Sequence, residues 1–124
     1  MRYRMIGLCA VMLALAPVAV GGAADIPAPA VAEGSEIWAS RCTLCHGARG
    51  KGDGVASAAL DPKPRDLSDK KWQASVDDKH IETVILKGGP AVKLSPLMAA
   101  NPDLESKPDV VRALRAQVRS LGGR

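Results

Sequence analysis

Aromatic residues are almost missing from this sequence. The 124-residue chain has no phenylalanine, one tyrosine and two tryptophans, so aromatic side chains make up 2% of it. Tyr3 lies at the extreme N-terminus, which leaves Trp38 and Trp72 for the body of the chain. A domain of about 100 residues with two large rings builds a thin core, and small domains of this kind gain stability from a disulfide, a metal or a bound group.

A strong excess of one charge is also missing. The 17 lysines and arginines stand against 13 aspartates and glutamates, a formal net charge of +4 at pH 7. Two of the arginines, Arg2 and Arg4, lie in an N-terminal segment that we expect to be removed, which would leave +2. A chain this close to balance lacks the basic surface that binds nucleic acid or an anionic membrane. We therefore predict no nucleic-acid partner.

The N-terminal segment has the order of features typical of a secretory signal peptide. The two arginines are followed by an apolar run over residues 5–20 and by small residues up to Ala24. We predict cleavage after Ala24 and export to the bacterial periplasm. The alternative is an uncleaved anchor, since the run approaches the roughly 20 residues that span a bilayer. Only in that case do we expect contact with a membrane.

The chain is long enough for one domain. We predict a signal peptide over residues 1–24, a flexible Pro/Ala tether over residues 25–32 and the domain itself over residues 33–124. Apolar residues at intervals of three and four indicate an all-α fold with three main helices, and no segment shows the period-two alternation of a strand. The three are a helix over residues 33–43, a helix opened by a Ser75/Asp78 capping box and closed by Gly88, and a helix opened by a Ser106/Asp109 box and closed by Gly122.

Two cysteines and a histidine form the clearest chemical motif. Cys42, Cys45 and His46 fit C-x-x-C-H, the attachment sequence of a c-type haem. Cysteines three apart at a helix end reach the two vinyl groups of one porphyrin and form thioethers, and the adjacent His46 then lies under the iron as its proximal ligand. We predict one covalent haem c on this basis.

Other uses of the cysteine pair fit less well. A zinc site needs four ligands, whereas the one further histidine, His80, is distant in the sequence. A thioredoxin-like redox pair lies beside a βαβ pattern, which this sequence lacks. A structural disulfide is compatible with export, but between cysteines three apart it closes a loop too small to constrain the chain.

Met98 is the candidate for the second axial ligand. It is the one methionine after residue 24 and lies between Pro96 and Pro102. A thioether sulfur is a known ligand of haem iron, and the two prolines stiffen the loop that presents it. The alternatives are a methionine that fills the core and, as a rival ligand, His80, whose charged neighbours favour a solvated helix surface.

Arg65 and Trp72 are further candidates for cofactor binding. A guanidinium binds carboxylates in a bidentate manner and an indole N–H is a donor, so both residues suit the haem propionates. The alternatives are a solvated arginine and a core tryptophan. The glycine-rich residues 47–54 match neither phosphate-binding motif, so we interpret them as a loop that passes close to the haem.

Taken together, these motifs resemble those of the class I c-type cytochromes. The resemblance covers nearly all of residues 32–122 and is most specific at the attachment motif, residues 42–47, and at the methionine loop, residues 95–98. The other matching positions are Gly34, Trp38, the loop from Gly50 to Gly54, residues 62–67, Gly88, Gly89 and the terminal helix from Val110 to Leu121.

The resemblance implies a cytochrome c fold, in which helices and loops surround one covalently attached haem. It implies that His46 and Met98 are the axial pair and that the first and last helices cross near Gly34 and Trp38. It also implies that a backbone carbonyl near Val55 accepts a hydrogen bond from Nδ1 of His46.

We expect an electron carrier and not an enzyme. Two axial ligands leave the iron no open position for a substrate, so the expected reaction is transfer of single electrons between redox partner proteins. Lysines near the haem-binding segments suit docking to an acidic partner; they are Lys51, Lys63, Lys70, Lys71, Lys87 and Lys93. The alternatives are an electron-transfer subunit of a membrane or dehydrogenase complex and, if Met98 is not a ligand, a haem peroxidase or gas-binding protein.

Overall fold

The computed structural model describes residues 25–123, and the predicted signal peptide lies outside these residues. This part of the chain contains helices and no strand, as predicted. The helices are α1 (Ala28–Ile37), α2 (Thr43–His46), α3 (Lys70–Ser75), α4 (Asp78–Lys87) and α5 (Pro108–Leu121). A π-helical turn, Trp38–Cys42, joins α1 to α2 without a break, and the continuous element over residues 28–46 is called the attachment helix below. Short 3-10 turns lie in the connections at Ser57–Ala59, Gly89–Val92 and Pro102–Leu104.

The first helix begins earlier than the sequence indicated. Residues 28–32, which were predicted as part of a flexible tether, form the first turns of α1, and residues 25–27 precede it. Pro27 is the N-cap and Pro29 lies in the first turn. Backbone N–H groups at these positions have no acceptor within the helix, so the N–H group that proline lacks is not needed there. The alanines between and after them are the strongest helix formers, and Ala30 is buried in the core.

The core lies along α5, against which the attachment helix and α4 both pack. The attachment helix approaches α5 closely at Gly34, where a Cβ atom would lie 3.0 Å from the Cβ of Ala113 on α5. The close helix contact expected at Gly34 is therefore confirmed. One face of α5 is apolar at the three- and four-residue spacing that predicted this helix. The buried apolar residues are Ala30, Ile37, Trp38, Leu67, Ile81, Leu104, Val110, Val111, Ala113, Leu114, Val118 and Leu121.

Two helices begin at caps other than the predicted ones. Ser75 is the last residue of α3, and the carboxylate of Asp77 caps α4 by accepting a backbone N–H at 2.7 Å. Helix α5 follows Lys107 without a side-chain cap, so the expected box between Ser106 and Asp109 does not form. The predicted helices are correct, and both predicted capping boxes are wrong.

Arg119 fixes the C-terminal helix to the connection between α3 and α4. Its guanidinium donates to the carboxylate of Asp78 at 2.8 Å, to the carbonyl of Gln73 at 2.7 Å and to the carbonyl of Val76 at 2.8 Å. Arg115, one turn earlier, forms a second ion pair with Asp78 at 3.0 Å. These contacts hold α3 beside α5, although the sequence analysis did not predict α3.

Candidate cofactor site

The cysteine motif lies where the attachment helix changes its winding. Cys42 is the last residue of the π-helical turn, and Cys45 and His46 belong to α2. The N–H of Thr43 donates to the carbonyl of Trp38, five residues back, so this turn contains one more residue than an α-helical pairing would close. Both cysteines are free and half-buried. Two free thiols on one short helical segment are the groups that thioether attachment requires.

The glycine-rich loop completes the end of the attachment helix. The last four carbonyls of a helix lack partners within it, and this loop provides a donor for each of them. The donor and acceptor pairs are Gly47–Thr43 at 2.8 Å, Ala56–Leu44 at 3.0 Å, Gly54–Cys45 at 3.1 Å and Gly52–His46 at 2.9 Å. A side chain at Gly54 would collide with the carbonyl oxygens of Thr43 and Leu44. The loop therefore fixes the end of the helix and with it the orientation of the motif.

The imidazole of His46 is oriented by a backbone carbonyl. Its Nδ1 lies 3.3 Å from the carbonyl oxygen of Arg65. A neutral ring that donates from Nδ1 keeps the lone pair of Nε2 for a metal. The indole of Trp38 stacks beside this ring, with centroids 6.5 Å apart and planes inclined by 28°. The acceptor that the resemblance placed near Val55 is thus the carbonyl of Arg65, ten residues further along the chain.

Burial favours the form of His46 that binds a metal. Removal from water lowers the pKa of the imidazole, and the hydrogen bond to the Arg65 carbonyl opposes this effect in part. Only the unprotonated nitrogen of a neutral ring has a lone pair for a metal. Burial also raises the pKa of the Cys42 thiol, an effect that the neighbouring Arg41 opposes.

Met98 lies in the connection between α4 and α5, and residues 88–104 are called the Met98 segment below. Its side chain is half-buried. The N–H of Gly89 donates to the carbonyl of Met98 at 2.9 Å, and the N–H of Asn101 donates to the carbonyl of Leu86 at 3.0 Å. The first bond closes the segment on itself at Met98, and the second holds it to the end of α4 three residues later, in addition to the stiffening by proline that the sequence indicated.

Three residues that the sequence analysis did not single out join the attachment helix to the Met98 segment. Nη1 of Arg41 lies 3.2 Å from Oδ1 of Asn101 and 3.0 Å from Oδ2 of Asp103. Arg41 directly precedes Cys42. No sequence pattern reveals this contact, because the partners are 60 and 62 positions apart.

The remaining candidates differ in their distance from the motif. Arg65 reaches it through its backbone carbonyl while its side chain is exposed. Trp72 is half-buried on α3 and packs against the core. A contact of either side chain with the haem propionates stays a prediction. His80 lies in the first turn of α4, where its backbone N–H donates to the Asp77 carboxylate.

These residues fit a covalently attached haem, since two free thiols precede an imidazole whose Nε2 is available. A protein-family model, described as Cytochrome c, matches residues 31–121. The chain belongs to the cytochrome c family. Cytochrome c domains carry electrons through a covalent haem c, and Cys42 and Cys45 have the spacing of its attachment motif. The predicted family, the all-α cytochrome c fold and the haem c cofactor are thus confirmed.

One relative of this cytochrome c domain is part of an oxidase. The cbb3-type cytochrome c oxidase subunit FixP of Azorhizobium caulinodans is 33% identical over 104 residues. The match covers 84% of this chain and 31% of the oxidase subunit, so the chain spans about a third of that relative's length. Within residues 25–123, no helix is both long enough and apolar enough to cross a membrane.

Proposed function

We propose that this protein carries single electrons in the bacterial periplasm through one haem c whose iron is bound by His46 and Met98. The observation that carries the proposal is the 3.3 Å contact between Nδ1 of His46 and the carbonyl of Arg65. A ring that donates from Nδ1 would keep the lone pair of Nε2 for the iron, and His46 directly follows the second cysteine of the attachment motif. The bound haem supplies the one-electron couple of its iron.

The positions of residues in the chain would set the reduction potential of that iron. The loop that caps the attachment helix holds His46 in place, and the Arg65 carbonyl fixes its tautomer. Met98 would supply a thioether, which raises the reduction potential relative to a second histidine. The backbone hydrogen bonds at Met98 and at Asn101 support this role, because a weak sulfur ligand needs a fixed backbone.

Ligation by both residues supports a carrier and not an enzyme. An iron bound by both His46 and Met98 would have no open position for a substrate or a gas. The peroxidase or gas-binding alternative requires Met98 to leave the iron. Binding of Met98 to the iron would therefore distinguish an electron carrier from a peroxidase or gas-binding protein.

We also propose that residues 1–24 direct export and are then removed. Their order of positive, apolar and small residues supports this proposal, and cytochrome c domains of bacteria usually lie outside the cytoplasm. The mature chain would begin at Asp25, with a tether of residues 25–27 before α1 and the haem-binding domain from Ala28 onward.

The oxidase relative favours a second candidate, an electron-transfer subunit of a larger complex. That relative is named as a subunit, and most of its length lies outside the match. The size of the protein in extracts of its own cells, prepared with mild detergent, distinguishes the two. A single species near the mass of the mature chain supports the free carrier, whereas co-migration with other polypeptides supports the subunit.

The exposed lysines support docking to a redox partner with an acidic surface. Five of the six lysines named above are exposed, and their ammonium groups make no hydrogen bond or ion pair among the described residues; they are Lys51, Lys70, Lys71, Lys87 and Lys93. Lys63 is committed within the molecule, since its Nζ donates to the carbonyls of Ser57 and Ala58 at 2.8 and 2.9 Å. We therefore leave Lys63 out of the docking surface.

The spectrum of the haem-loaded protein tests the proposed ligation. We expect the weak near-infrared band of methionine-bound ferric haem in the native protein and its loss in Met98→Ala. The ferrous native protein should not bind carbon monoxide, whereas ferrous Met98→Ala should bind it, and the reduction potential of the variant should be lower.

The matched control is His80→Ala, which removes the rival ligand and should leave the near-infrared band unchanged. A native protein without the band that binds carbon monoxide readily would contradict the proposal. The peroxidase or gas-binding function would then be favoured.

A further inference from the structure

Arg41 lies at a junction between the two segments that the proposed function assigns to the iron. It is the last residue before Cys42 on the attachment helix. Its Nη1 lies 3.2 Å from Oδ1 of Asn101, 3.1 Å from Oδ1 of Asp103 and 3.0 Å from Oδ2 of Asp103. A single guanidinium nitrogen therefore contacts two residues of the Met98 segment.

Asn101 contributes its backbone N–H and both ends of its side-chain amide to this junction. Its backbone N–H donates to the carbonyl of Leu86 at 3.0 Å, and its Nδ2 donates to the carbonyl of Ile85 at 2.8 Å. Its Oδ1 faces Arg41. Asn101 thus connects the end of α4 to the attachment helix, three residues after Met98.

The link through Arg41 has no parallel among the described residues. Over residues 25–123, the other hydrogen bonds of the Met98 segment run within the segment, to α4, or to Glu105 and Lys107 directly after it. Its polar contacts with the attachment helix are those with Arg41. The haem itself would join the same two parts of the chain. A contact away from the haem that sets the distance between these two parts of the chain therefore affects how firmly a weak ligand such as Met98 binds the iron. Residues around the ligands have the same effect in other metal sites.

We propose that Arg41, Asn101 and Asp103 form a clasp that positions Met98 at its axial place, with Arg41 as the central positioning residue. The inference rests on the proposed ligation by His46 and Met98. In the absence of the clasp, the Met98 segment keeps its hydrogen bonds to α4 and the buried Leu104 at its end, but it loses its polar contacts with the attachment helix. Met98 then yields more readily to a competing ligand.

Imidazole binding to the ferric, haem-loaded protein measures this effect, because imidazole must displace Met98. The clasp is solvent-exposed, with 46% of the Arg41 side chain and 51% of the Asp103 side chain accessible. We therefore expect a modest change, an imidazole Kd about fivefold lower in Arg41→Ala than in the native protein. The near-infrared band should weaken in the same variant. Asp103→Ala should also lower the imidazole Kd. This variant removes the same contact without altering a residue beside the haem attachment motif.

Lys107→Ala is the matched control. Lys107 forms a comparably exposed ion pair with Glu33 at 2.6 Å, with accessible fractions of 45% and 40%, and it links the attachment helix to the start of α5 instead of the Met98 segment. The imidazole Kd of Lys107→Ala should differ from that of the native protein by less than about twofold.

The outcomes separate the clasp from the ligation on which it rests. If the native protein shows the near-infrared band and both clasp variants match Lys107→Ala, the clasp is wrong and the ligation stands. If the native protein lacks the band, the ligation is wrong and the clasp falls with it. A lower Kd in both clasp variants with an unchanged control supports the proposal.

Discussion

The missing side chain of Gly34 sets the distance between the two longest packed elements of the molecule. A Cβ atom at this position would lie 3.0 Å from the Cβ of Ala113 and 3.6 Å from the backbone nitrogen of Leu114. The attachment helix can approach α5 this closely because residue 34 has no side chain. The contact lies one helical turn before Trp38, whose ring stacks beside His46.

A larger residue at this position should force the two helices apart. We expect Gly34→Val to lower the free energy of unfolding of the ferric, haem-loaded protein by about 1–3 kcal/mol, the usual cost of overpacking. Guanidinium unfolding followed by far-ultraviolet circular dichroism measures it. Gly123→Val is the control, because a Cβ there meets its nearest atom at 3.9 Å, and it should cost less than about 0.5 kcal/mol. Equal unfolding midpoints for the two variants would contradict the packing argument.

The sequence identified single residues where chemistry imposes a fixed spacing. Cys42, Cys45 and His46 could be named because two thioethers and a proximal ligand must fit one porphyrin. The acceptor for His46 could not be located in the same way. A backbone carbonyl can belong to any residue, so only the folded chain shows that it is that of Arg65.

The start of α4 shows how a helix selects its cap. Asp77 has an extended backbone, with φ of −87° and ψ of 170°, and its carboxylate accepts the N–H of His80 at 2.7 Å. Ser75, the residue favoured by the sequence pattern, donates its hydroxyl to the carbonyl of Trp72 in the preceding helix. The Asp77 carboxylate therefore satisfies one of the free backbone donors at the start of α4.

Replacing the two candidate caps separately should distinguish them. Asp77→Ala should lower the free energy of unfolding by about 1 kcal/mol, the typical value of an N-cap. Ser75→Ala should change it by less than about 0.5 kcal/mol. Thermal or guanidinium unfolding of the haem-loaded variants measures both. A larger loss in Ser75→Ala would restore the capping box that the sequence indicated.

Local sequence predicted whole helices better than their beginnings. The three main helices and the glycines that end the last two, Gly88 and Gly122, are confirmed. Their caps were predicted wrongly because several suitable residues lie within one turn, and contacts such as those of Arg119 with the α3–α4 connection select among them. Helix α3 has six residues, too few to show a repeating apolar pattern. The π-helical turn has no compositional signature at all.

The charge of the whole molecule is nearly balanced, so any docking preference depends on where the lysines lie. Lys87 ends α4 beside the Met98 segment, whereas Lys79 lies in the first turn of the same helix. The rise of an α-helix separates them by about 12 Å along its axis. This exceeds the screening length of about 10 Å at 0.1 M salt, so the two positions can be told apart.

Electron transfer to an anionic reagent should respond to Lys87 more than to Lys79. We expect oxidation of the ferrous protein by hexacyanoferrate(III) to slow as ionic strength rises. At low ionic strength, Lys87→Glu should slow it by about threefold. Lys79→Glu makes the same change in net charge and should have a smaller effect. Stopped-flow absorbance measures both rates. Identical rates for the two variants would mean that net charge alone acts, which would contradict docking at the lysines near the Met98 segment.

The π-helical turn also bears on how this chain can vary in length. The stretch of chain from Gly34 to Cys42 contains this turn and is fixed at both ends. Gly34 packs against α5, and Cys42 begins the attachment motif. The turn between them already contains one residue more than an α-helical pairing would close, so deletion of one residue would restore α-helical pairing and keep both ends facing their partners. An inserted residue would instead rotate the chain by about 100° and turn one of the two ends away. The exposed Ala39 and Ser40 can change identity at little cost. Their number can fall by one more easily than it can rise, so related chains should tolerate loss of one residue here, whereas insertions should avoid this stretch.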